Sequence, residues 1–162
     1  MKNFYSILAL SLMISVTSLT SCTPDYVEYN GESTGGSVDK AKLVAKWDLK
    51  TVKKRITTMG VPVDGPTESV SSGNSIHVEF KEDGTATTTY NTNEAFDRML
   101  FPALKSYTVN AAVLQMILSN NSQLNVTVQT LNASKLIFVF KETQSMGGQE
   151  IITETIYNFT KL

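Results

Sequence analysis

The chain has 162 residues, 14 basic and 15 acidic side chains, a formal net charge of −1, and 41% hydrophobic residues. One cysteine excludes an internal disulfide, one histidine leaves little for a histidine-based metal site, and the longest basic run is Lys53–Arg55, so no nucleic-acid partner is implied.

The N-terminus opens "MKNFYSILALSLMISVTS", with one positive charge at Lys2 followed by an apolar run from Phe4 to about Val16. The run is too short for an ordinary transmembrane helix, and the pattern predicts an export leader over residues 1–21. Leu19-Thr20-Ser21-Cys22 follows it directly and resembles the lipobox of bacterial lipoproteins. By that resemblance Cys22 is the lipid-attachment residue and the first residue after cleavage. Several acyl chains at about 0.8 kcal/mol per buried CH₂ give durable anchoring, so the membrane is an expected partner. Counting from Cys22 leaves 141 residues, enough for one domain that buries about two-thirds of its unfolded surface. Loss of Lys2 with the leader leaves 13 basic against 15 acidic groups, a balance of −2.

Residues 22–37 are rich in turn formers and lack periodicity, which predicts a lipidated tether holding the domain of residues 38–162 on the order of 20 Å from the lipid. A short helix is expected from Asp39 to about Ala45, capped by Ser37 or Asp39. In the strand that follows, Trp47, Leu49 and Thr51 alternate with Asp48, Lys50 and Val52, which predicts Trp47 facing a core, with Thr51 on the same row as a polar handle. Glycine, proline and serine recur in "GVPVDGPTESVSSGNS", which reads as one long connection from Gly60 to Ser75.

"SIHVEFKEDGTATTTYN" is the clearest local signal, two alternating runs around an Asp-Gly turn. With Glu82-Asp83-Gly84 as the loop, Phe80 faces Ala86, and Ile76, Val78, Phe80, Ala86, Thr88 and Tyr90 share one face. In "NEAFDRMLFPALKS" the spacing of Phe96, Met99, Leu100 and Ala103 predicts a short helix near residues 94–101, ended by Pro102. Five more strands follow in "SYTVN", "AVLQMIL", "LNVTVQTL", "KLIFVFKE" and "EIITETIYNFTKL", with Gly147-Gly148 as a hairpin turn. The fold class is all-β: about eight antiparallel strands in meander order, as a barrel or a sandwich. Leu136, Phe138 and Phe140 are expected to fill the core with Trp47, Leu49, Ile76, Val78 and Phe80, while Ile137 and Val139 face outward.

From Asp39 to Leu162, "LVAKWDLK", "IHVEFKEDGTATT", "YTVNAAVLQM" and "TETIYNFTKL" resemble the lipocalin-like lipoproteins of Bacteroidetes. The resemblance implies an up-and-down barrel behind a short N-terminal helix. In that family the first strand carries Gly-x-Trp; here Ala45 stands at the glycine position before Lys46-Trp47. A tryptophan there can plug one end of a narrow barrel.

The chemistry on offer is sparse. His77 alternates with Ile76 and Val78 and is expected on the solvent side; Glu79, Glu82 and Asp83 flank Lys81 at a turn. There is no G-x-S-x-G elbow, and neither a catalytic constellation, a metal site nor a cofactor is expected. The candidate ligand-binding residues are Met59, Tyr90, Phe96, Met99, Leu100 and Phe101, which could form an adaptable apolar mouth for a small apolar or amphipathic molecule. The competing expectation is a protein–protein interaction module of the envelope, using loops or an exposed apolar strand face. Thr23, where an aspartate would retain an enteric lipoprotein at the inner membrane, points by analogy to the outer membrane.

Overall fold

The structure is a computed structural model, and it describes residues 37–162. The leader, Cys22 and the tether up to residue 36 lie outside the described residues. A first helix, α1 (Lys40–Leu43), leads into β1 (Ala45–Thr58), β2 (Val61–Ser69), β3 (Ser75–Phe80) and β4 (Ala86–Asn91). A second helix, α2 (Ala95–Leu100), precedes β5 (Leu104–Asn110), β6 (Val113–Leu118), β7 (Gln123–Leu131), β8 (Lys135–Met146) and β9 (Gln149–Lys161). All pairings between strands are antiparallel.

Eight strands follow one another round a nearly closed barrel in the order β4-β3-β1-β9-β8-β7-β6-β5, so the expected up-and-down topology stands. The remaining seam, between β4 and β5, carries little backbone ladder. It is bridged at Thr85 and Ser106, by Tyr107 N donating to Gly84 O at 2.8 Å, and by Thr88, whose hydroxyl donates to Pro102 O at 3.0 Å and accepts from Leu104 N at 3.1 Å. Side chains thus satisfy backbone groups that a regular strand pair would have paired.

Local chemistry explains the elements. Asp39 caps α1 by accepting from Ala41 N at 3.1 Å and Lys42 N at 3.4 Å. The β3–β4 hairpin has the expected register, with Phe80 opposite Ala86, Lys81 N donating to Thr85 O at 3.0 Å, and Gly84 at φ 86°. The β8–β9 turn uses Gly147 and Gly148 at φ 58° and 80°, as a two-residue hairpin loop demands.

Two expectations are corrected. The long connection from Gly60 to Ser75 is not a connection throughout, because its first part is β2, paired with β1 from Thr58–Val61 to Thr51–Ser69. A tight turn at Met59 and Gly60 (φ 53° and 77°) starts it, and the prolines and glycine fit because β2 pairs on one side only. Thr51 does not continue the inward row of Trp47 and Leu49. The register against β9 shifts between Leu49 and Thr51, an irregularity that hands the inward position to Val52, 4% exposed and opposite Tyr157.

The interior is filled. Trp47, Phe80, Phe101, Phe138 and Phe159 are all fully buried or within 1% of it, together with Leu43, Ile76, Val78, Leu114, Met116, Val126 and Leu136. All the expected core residues belong to this cluster, Phe140 as a half-buried member at its rim. At one end, Trp47 Nε1 donates to Leu43 O at 2.9 Å, and Val38 N donates to Ala111 O at 2.8 Å. These bonds draw α1 across that end of the barrel.

Candidate functional site

At the opposite end, α2 lies between β4 and β5 and presents its two faces differently. Leu100 and Asp97 are buried, whereas Phe96 and Met99 are 47% and 77% exposed. Phe101, the residue after the helix, enters the barrel. Its ring centroid lies 5.2 Å from Tyr157, 5.4 Å from Phe159 and 5.9 Å from Phe138, the first two edge-on. Tyr90, expected to line a mouth, donates its hydroxyl to Phe101 O at 2.8 Å. That bond is used to hold the plug in place.

The six candidate ligand residues therefore do not form one site. Leu100 and Phe101 are packed into the core, Tyr90 braces them, and Phe96 and Met99 stand on the helix's outer side. Met59 lies at the β1–β2 turn, eight residues beyond Thr51, or about 26 Å along the strand. The barrel interior that an apolar ligand would need is occupied by rings. A cavity of about 200 Å³ exists elsewhere, lined by Val38, Asp39, Lys42, Val128, Gln129 and Leu131. Its charged members are engaged with each other, Lys42 Nζ lying 3.1 Å from Asp39 Oδ2.

Asp97 is the most strongly held polar group at the α2 end, and nothing in the sequence singled it out. Its carboxylate accepts from Ser71 N and Oγ, both at 3.0 Å, and from Asn74 Nδ2 and Thr92 Oγ1, both at 2.8 Å. Led by the Ser71 N–H, these donors hold its pKa at about 2, below the usual carboxylate value. The arrangement ties the loop after β2 to α2. Its partners lie 26, 23 and 5 residues away, so no local spacing could have revealed it.

His77 is half-buried rather than a freely solvated surface group. Its Nε2 lies 3.6 Å from Asp48 Oδ1, Asp48 itself is paired with Lys50, and Asn91 Nδ2 lies 3.3 Å from His77 Nδ1. Desolvation, then the charge of Lys46, lower its pKa, with Asp48 opposing. Asp83 is engaged by its own turn, accepting from Thr85 N at 2.8 Å and Thr85 Oγ1 at 2.6 Å. Among the described residues no group of three or more His, Cys, Asp or Glu is placed to hold a metal ion.

The feature that stands apart is a sheet that outgrows the barrel. β1, β8 and β9 run 12–14 residues, whereas β3, β4 and β6 have six. β8 leaves β7 after the Val126–Phe140 pair, and Lys141–Met146 continues paired with β9 alone. With β2 added beyond β1, the order β2-β1-β9-β8 makes a four-stranded arm leaving the barrel at its α2 end.

Register assigns the faces of the arm. Val52 and Tyr157 point into the core, so alternation puts Ile56, Val63, Val61, Ile151 and Met146 on the same side further out, interspersed with Lys54, Glu142 and Gln144. Ile56, Val61, Val63 and Met146 are 47%, 62%, 64% and 66% exposed. On the other side, which also carries Ile152 and Ile156, Asp64 takes Lys53 Nζ on one oxygen and Arg55 Nε on the other, each at 2.7 Å, and these partners lower its pKa. Nearer the barrel on that outer side, Ile137 is half-buried and Val139 only 5% exposed, flanked by Thr127 and Ile156. The exposed apolar strand face expected at Ile137 and Val139 is thus displaced to the inner side of the arm. No family model matches the chain, and no curated protein matches it.

Proposed function

We propose that the protein is a non-enzymatic, lipid-anchored component of a bacterial cell envelope, of the lipocalin-like lipoprotein kind, working as a protein–protein interaction module. The observation that carries this reading is the arm, whose inner side leaves Ile56, Val61, Val63 and Met146 largely exposed. Exposed apolar surface of that extent on a soluble domain is favoured where a partner covers it. Apolar-ligand carriage is the weaker reading, because rings occupy the barrel centre and both of its ends are crossed by helices.

Anchoring rests on the lipobox at Leu19–Cys22 behind the apolar run, and Thr23 favours the outer membrane. The test is native-size analysis of mild-detergent extracts of the envelope. The wild-type chain should migrate in an assembly larger than itself, and Val63→Asp combined with Met146→Lys should release it while leaving thermal stability nearly unchanged, since both side chains are exposed. A wild-type chain migrating at its own mass would overturn the reading.

A further inference from the structure

The cavity of about 200 Å³ at the α1 end has walls held by the backbone and an unsatisfied polar group among them. Its apolar wall is Val38, Val128 and Leu131. The two valines hang from one turn, Val38 N donating to Ala111 O at 2.8 Å and Val128 N to Ala112 O at 2.9 Å. Ala111 lies in the left-handed region, φ 52°, a conformation an alanine keeps only where its surroundings hold it there. Opposite that wall stands Gln129, the extra residue of a bulge in β7. Register sets Val128 against Phe138 and Thr130 against Ile137, which leaves Gln129 unpaired, and a bulge re-aims the side chain it carries. The Gln129 side chain lines the cavity, and its Oε1 is buried without a hydrogen-bond partner among the described residues. A buried acceptor left unpaired costs free energy that a donor placed in the cavity would recover.

We propose that this cavity binds a free α-amino acid with an aliphatic side chain. The ligand class follows from the charges. Asp39 and Lys42 stand side by side in the lining, Lys42 Nζ 3.1 Å from Asp39 Oδ2, so the site offers one negative and one positive group at the spacing of a zwitterion's own charges. An α-amino acid laid against them in the opposite sense gives its carboxylate to Lys42, whose ammonium keeps two N–H donors beyond the one used by Asp39. Its ammonium then meets Asp39 Oδ2, and turning the Gln129 amide brings Oε1 onto the same ammonium, which supplies the missing donor. The side chain lies on Val38, Val128 and Leu131, where an aliphatic group is favoured and a charged one is not. Size agrees: an engineered cavity of about 150 Å³ takes up benzene, so about 200 Å³ accommodates a somewhat larger molecule. The site lies outside the barrel interior, and it is independent of the arm.

Calorimetric titration of the full chain carrying Cys22→Ser with free leucine tests the site. Binding should saturate at one leucine per chain with a Kd on the order of 0.1–1 mM, as expected of so small a ligand. Leucinamide, which lacks the carboxylate, and N-acetylleucine, which lacks the ammonium, should each bind at least about tenfold more weakly. Gln129→Leu should weaken leucine binding by at least about tenfold while leaving the melting temperature unchanged or raised, because it removes a buried acceptor that has no partner. A residue serving only the fold would show the reverse, a lower melting temperature with binding intact. Lys42→Met, at an exposed side chain whose loss the fold tolerates, should weaken leucine to the level of leucinamide. Absence of saturable binding by leucine, valine and alanine up to about 10 mM, equal binding of the two blocked forms, or undiminished binding by Gln129→Leu or by Lys42→Met would overturn the inference.

Discussion

Removing the Phe101 ring tests whether the barrel is a packed core or a vessel. The ring is fully buried and touches the rings of Phe138, Tyr157 and Phe159. Phe101→Ala should cost about 3–5 kcal/mol through lost burial and the void left behind. That is a large part of the 5–15 kcal/mol typical of such a domain, and at about 3–4 °C per kcal/mol it lowers the melting temperature by about 9–20 °C. Urea and thermal unfolding should agree, with the denaturant slope unchanged. Met99→Ala, on the exposed side of the same helix, should shift stability by less than about 0.5 kcal/mol. The void is apolar and benzene-shaped, so benzene should restore part of the loss in Phe101→Ala and add little to the wild-type chain. A cost below about 1 kcal/mol, or equal stabilisation of the wild-type barrel by benzene, would refute the filled-core reasoning.

Acid should act through Asp97, whose folded pKa of about 2 lies below the unfolded value of 3.8. Its contribution is present above pH 4 and lost as pH falls toward 2; Asp97→Asn should flatten that limb of a melting-temperature profile, and an unchanged limb would assign acid sensitivity elsewhere. Met59 occupies the left-handed region at the first position of a two-residue hairpin turn, where asparagine is favoured. Met59→Asn should stabilise the chain by about 0.5–1 kcal/mol in chemical denaturation, and a loss of stability would mean that the Met59 side chain makes contacts its 74% exposure does not suggest.

Features governed by neighbours in sequence were legible from sequence. The β3–β4 register followed from an Asp-Gly turn and strict alternation, α1 from a capping aspartate, and α2 from helical spacing that Pro102 ends. Trp47 and the inward rows of β3 and β8 could be named because one buried face imposes a period of two. Tertiary structure decided the rest. Proline and glycine disguised β2 as a loop because their local preferences do not register that a strand paired on one side needs only half its hydrogen bonds. The irregularity after Leu49 exchanged Thr51 for Val52, an offset visible only against β9. The spacing of Phe96, Met99, Leu100 and Phe101 established an apolar helix but not whether Phe101 would line a pocket or fill it. That depended on the width of a barrel closed by strands more than thirty residues away, where the rings of Phe138, Tyr157 and Phe159 pack around Phe101.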